Sequence, residues 1–117
     1  MPRNGRSVSS RALVVLTTCA TPDEAKRLAA ALVGRRLAAC VNTLGGVSST
    51  YRWQGAVQQE QESLLVIKTT EVRFAALEQA IRELSSYELP EVLAIPVQTG
   101  SARYLDWLSA AVTDGEE

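Results

Sequence analysis

The chain has 117 residues, 46% hydrophobic and 21% charged, with a formal net charge of -1. That is enough to bury a core without metal or disulfide staples, and a balance so near neutral leaves no electrostatic footprint for nucleic acid or an anionic membrane. With two cysteines and no histidine, Ser-His-Asp and Cys-His chemistry are excluded, together with the commonest transition-metal ligand.

Two thiols do not make a disulfide framework, so a reducing, cytoplasmic location is expected. Ten of the 12 basic residues are arginine, scattered along the chain. No apolar run approaches the roughly 20 residues needed to span a bilayer. Met1 to Arg11 is polar, carries three arginines and reads as a disordered lead. Residues 12–112 form the expected domain, and 113–117 a short acidic tail.

Leu13-Val14-Val15-Leu16 is an unbroken β-prone run, expected as a strand buried on both faces. Thr21-Pro22-Asp23-Glu24 is a helix start: Thr21 caps, Pro22 suits the first helical position and Glu24 completes a capping box. Ala25, Leu28, Ala29, Leu32 and Val33 then form one apolar face, and Gly34 is expected to end the helix in the left-handed conformation. From Leu37 to Trp53 the pattern is that of a strand, with a bulge expected at Gly45-Gly46.

Gln54-Gly55 marks a tight turn, and a second strand returns from Ala56 to about Thr69. Gln58 to Glu62 is polar on both faces and should project beyond the core, whereas Leu64 to Ile67 is apolar on both and should lie centrally. A second helix begins near Thr70-Glu71 with Phe74, Leu77, Ile81 and Leu84 at core spacing. Ser85 to Pro90 reads as a loop, and Glu91 to Val97 as a last strand whose Pro96 implies an edge. A short helix after Gly100-Ser101 carries Tyr104, Leu105, Trp107 and Leu108.

The order β-α-β-β-α-β with a terminal helix is a ferredoxin-like α+β sandwich, with the first and third strands central. Its long hairpin is the anomaly. Arms of about 14 to 17 residues exceed the usual strand of roughly 5 to 6, and helices near 20 Å long cannot cover them. Pairing with other subunits is the natural remedy for such a ribbon.

Five blocks carry a family resemblance: Ala38-Ala39-Cys40-Val41-Asn42, Tyr51-Arg52-Trp53, Ile67-Lys68-Thr69-Thr70, Tyr87-Glu88-Leu89-Pro90-Glu91 and Tyr104-Leu105-Asp106-Trp107-Leu108. From about Leu13 to Leu108 the chain resembles the divalent-cation tolerance protein CutA family. The resemblance implies a non-enzymatic homotrimer, structurally similar to PII signalling proteins and associated with copper tolerance. The family usually has histidine where this chain has Ser85, which weakens metal binding at that position.

Cys19 and Cys40 are the only soft ligand set for copper, weighed against two core residues. Lys68 interrupts an apolar strand and needs an anionic partner unless it emerges into water there; Glu91 is the candidate. Lys68, Glu91, Tyr87, Trp53, Asn42 and Trp107 are expected around an intersubunit cleft, whose occupant is a metal ion or a small molecule. Glu60 and Glu62 share a strand face and read as solvated. A PII-like small-molecule-binding regulatory module is the alternative function; an RNA-recognition domain lacks the aromatic pattern it needs, and an enzyme lacks a nucleophile–base pair.

Overall fold

Hydrophobic alternation sets the frame of the computed structural model, which describes residues 10–113. The elements are β1 (Ala12–Cys19), α1 (Pro22–Gly34), β2 (Cys40–Trp53), β3 (Ala56–Thr70), α2 (Glu71–Leu84), β4 (Leu93–Pro96) and α3 (Ala102–Ala111). The sheet is antiparallel in the order β2-β3-β1-β4, so the two apolar strands are central and Pro96 lies on an edge strand, as expected. Most of the lead and tail, residues 1–9 and 114–117, lie outside the described residues.

One face of the sheet carries the core. Leu13, Val15 and Cys19 of β1 and Leu65 and Ile67 of β3 pack against Leu28 and Leu32 of α1 and Leu77 and Ile81 of α2. On the opposite face α3 covers only one end, where Leu108 and Val112 meet Ala12 and Ala39. The rest of that face is open and apolar apart from Lys68, Asn42 and the polar residues toward the hairpin: Val14, Leu16, Leu64 and Val66 are half-buried, while Leu44, Leu93 and Ile95 are exposed. The expectation that β1 is buried on both faces therefore fails within one chain, because strict alternation places only every second side chain under the helices.

Local signals explain most boundaries. Thr21 accepts from the Glu24 amide at 3.1 Å, closing the first turn of α1. The end of α1 differs from expectation: the left-handed residue is Arg36 (φ 59), two positions beyond Gly34. The loop before the last strand also runs longer, since β4 begins at Leu93 rather than Glu91.

The hairpin turn has φ 50 at Gln54 and φ 83 at Gly55, both left-handed, as a two-residue turn matched to strand twist requires. The register slips by one residue between Leu44 and Val47, with Gly46 at φ 70, so the glycine pair is a bulge. Beyond it the two arms run on past the helices, and the molecule measures 55 × 25 × 21 Å.

Thr17 lies fully buried on the core face, its hydroxyl without a hydrogen-bond partner among the described residues. Replacing it with valine keeps the shape and removes a desolvated polar group. Thr17→Val should raise stability by about 1 kcal/mol, read as a higher urea midpoint at an unchanged slope.

Candidate functional site

The projecting arms and the loop after α2 border an open cleft of about 810 Å³. The hairpin supplies Ser49, Tyr51, Trp53, Gln58, Glu60 and Glu62; the loop supplies Ser86, Tyr87, Glu88, Leu89 and Glu91, and Thr18 closes the end of β1. Register decides the hairpin's contribution. Tyr51 pairs with Gln58, Ser49 with Glu60 and Val47 with Glu62, so these side chains share one face of the ribbon.

A buried carboxylate fixes the loop. Glu24, at the start of α1, accepts from the Ala20 amide at 3.2 Å, the Ser86 amide at 2.7 Å and the Ser86 hydroxyl at 3.0 Å. The capping box is thus modified, the glutamate reaching the residue before the cap and a segment 62 positions away. From there Tyr87 reaches across and donates its hydroxyl proton to Glu62 at 2.5 Å.

Charge follows this geometry. Burial alone would push Glu62 up, but hydrogen bonds from Ser49, Tyr87 and Thr18 outweigh it and hold the carboxyl below its ordinary value. Burial, then the bond to Glu62 and nearby carboxylate charge, push the Tyr87 hydroxyl well up. Tyr51 is raised chiefly by its hydrogen bond to Glu60.

Within one chain the six residues expected around an intersubunit cleft fall into three groups. Trp53, Tyr87 and Glu91 line the large cavity. Lys68 and Asn42 are hydrogen-bonded to each other on the open sheet face, so the partner of Lys68 is an amide rather than Glu91. Lys68 pairs with Val14, four positions along β1 from the Thr18 that closes the cavity, which is roughly 13 Å. Trp107 lines a smaller cavity of about 260 Å³ with Arg36, Ala38 and Ala39.

The two cysteines do not meet within one chain either. Cys19 pairs with Ser63 and is fully buried on the core face; Cys40 pairs with Lys68, which lies on the open face. Five positions along β3 put roughly 17 Å between their rows. Burial and the charges of Glu24 and Glu62 push the Cys19 thiol up to about 11, against the thiolate that metals need. Among the described residues no group of three or more His, Cys, Asp or Glu side chains can hold a metal ion.

The family model for CutA1 divalent ion tolerance protein matches residues 13–111. This chain belongs to the CutA1 family. It is 47% identical over 95 residues to the divalent-cation tolerance protein CutA of Thermus thermophilus, covering 81% of this chain and 92% of the relative. It is 40% identical over 102 residues to the chloroplastic protein CutA 1 of rice, spanning 87% of this chain and 58% of that longer relative. The crystal structure of CutA1 from Oryza sativa superposes with a TM-score of 0.88 at 38% identity, covering 93% of this chain and all (100%) of that one. The ferredoxin-like fold and the family expected from the five blocks are thereby established.

Glu60 and Glu62, read from the sequence as a solvated strand face, and Ser86, not singled out there, line the cavity. The only signal was the two-residue spacing of the glutamates, which becomes meaningful once Tyr87 is brought over the ribbon.

Two outcomes follow from these charges. A lowered carboxyl contributes stability present above the unfolded value of 4.5 and lost as pH falls through the lower folded value. Tyr87→Phe should cost about 1 kcal/mol at pH 7, a deficit that shrinks in urea titrations as Glu62 protonates. The raised Cys19 thiol contributes stability that is intact below 9 and lost as pH rises through about 11; at pH 8 iodoacetamide should label Cys19 only after unfolding.

Proposed function

We propose that this chain is the subunit of a non-enzymatic homotrimer serving divalent-cation tolerance. The observation that carries the reading is the open sheet face. Val14, Leu16, Leu64 and Val66 form an apolar surface, half-buried and left open by the elements among the described residues, flanked by exposed Leu44, Leu93 and Ile95. Apolar surface of that extent favours a protein partner. Beside it runs β2, a 14-residue edge strand whose outer hydrogen-bonding groups have no strand partner among the described residues. A second copy satisfies both demands, and the family resemblance supports a number of three.

The non-enzymatic part rests on the side chains available. There is no histidine, and Cys19 is a buried, protonated thiol. A resident copper ion held by Cys19 and Cys40 of one chain does not fit their placement on opposite faces. The tolerance role is therefore assigned to assembly and regulation rather than to a metal centre inside one subunit.

A second reading, a PII-like small-molecule-binding regulatory module, draws on the cavity between hairpin and loop. About 810 Å³ lies within the roughly 300–1,000 Å³ of small-molecule sites.

Sedimentation equilibrium should return three times the 12.6 kDa chain mass. Val66→Asp puts a carboxylate on the open face and should give monomer without loss of helix content; a monomeric wild type at micromolar concentration would rule the trimer out. Copper(I) titration should give the same affinity for Cys19→Ser as for wild type.

A further inference from the structure

We propose that the 85–91 loop is a strap that fixes the direction of the hairpin at a hinge in its base, and thereby sets how firmly a second copy is held. It deepens the homotrimer proposed above and rests on it.

Three features meet at one level of the sheet. β1 ends at Cys19, opposite Ser63, so β3 loses a flanking strand there. The register slip between Leu44 and Val47 falls beside that end, and a bulge bends a strand and increases its twist. Beyond it the ribbon runs from the Val47–Glu62 pair to the Trp53–Ala56 pair, roughly 20 Å of two strands paired only with each other. Glu62 is the first paired residue past the break, and it is the one that the Tyr87 hydroxyl holds, at 2.5 Å.

The glycines turn the break into a hinge. Gly46, at φ 70, needs to be glycine. Gly45 does not: its φ is not left-handed, and an added Cβ would meet nothing within 4 Å. What glycine contributes there is backbone freedom.

The strap is anchored on the domain side before it reaches the ribbon. Glu24, only 7% exposed, accepts from the Ser86 amide at 2.7 Å and the Ser86 hydroxyl at 3.0 Å, and the Tyr87 amide donates to the Ser85 hydroxyl at 3.0 Å. A ribbon held at its hinge presents the same edge to every partner. Preorganisation of that kind strengthens association by reducing what binding must order, and it acts mainly on dissociation. Glu24 belongs to α1, which packs on the core face. An effect of Glu24 on assembly must therefore pass through the strap.

Subunit exchange between tagged and untagged copies tests this by native mass spectrometry. Tyr87→Phe and Glu24→Gln should each speed exchange about fivefold, the equivalent of one lost hydrogen bond. Glu62→Gln, whose amide oxygen still accepts from the Tyr87 hydroxyl, should stay near the wild-type rate. Hydrogen exchange in the monomeric Val66→Asp variant reads the hinge without the assembly. Adding Tyr87→Phe there should speed exchange of amides 47–62 about fivefold and leave those of α1 unchanged.

Wild-type rates of both kinds in the Tyr87→Phe proteins would overturn the proposal, even if Glu24→Gln fails to fold. Faster subunit exchange with an unmoved ribbon in the monomer would also overturn it, making Tyr87 a direct contact with the second copy. A wild type that is monomeric at micromolar concentration would refute the trimer and the effect on assembly together, and ribbon exchange in that monomer would still decide the strap.

Discussion

Everything in this molecule hangs on β3 having to serve two partners. Along Leu64–Lys68 it is flanked by both β1 and β2, at Thr69 and Thr70 only by β1, and along Ala56–Glu62 only by β2. The shared half is the centre of the sheet and carries Leu65 and Ile67 into the core. The unshared half is a two-stranded ribbon, which is marginal in water unless something lies against it. The helices are too short to do so; the loop after α2 does it instead, through polar contacts.

Those contacts form a short relay. Glu24 holds Ser86, and the next residue Tyr87 holds Glu62, whose carboxylate the nearby Ser49 and Thr18 also favour. A carboxylate supplied with several donors is stable as an anion even where partly buried. The relay therefore does two jobs at once, fastening the ribbon to the domain and leaving a cavity with negative walls. Both functional readings draw on the same side of the sheet, its apolar base bearing on assembly and its polar ribbon on ligand chemistry.

The fold was largely legible because its signals are local. The Thr21 cap, the Gln54-Gly55 turn, the glycine bulge and Pro96 at an edge each act within a few residues, and each is present. Which of the six cleft residues meet within one chain was less legible, because they lie far apart in sequence and only three-dimensional register decides it. Lys68 shows the difficulty: a cation in an apolar strand asks for a partner, but only pairing of β2 with β3 reveals that Asn42 is within reach. Glu62 shows the reverse, a residue whose sequence setting suggests a solvated strand face and whose structural place is under Tyr87. The two-sided burial expected of β1 was legible as hydrophobicity but not as geometry, since sequence records that a face is apolar and not what covers it.

The bulge at Gly45-Gly46 has one further consequence. The turn fixes pairing from the tip, with Trp53 opposite Ala56, while the extra residue shifts everything nearer the base by one. A shift of one exchanges the two sides of a strand. Because of it Val41 packs against the core and Cys40 and Asn42 lie beside Lys68; with an even ladder those assignments would be reversed. The arm therefore obeys a parity rule: residues can be gained or lost beyond the glycines only in pairs matched on both strands, whereas a single deletion at the glycines would turn the base of β2 inside out.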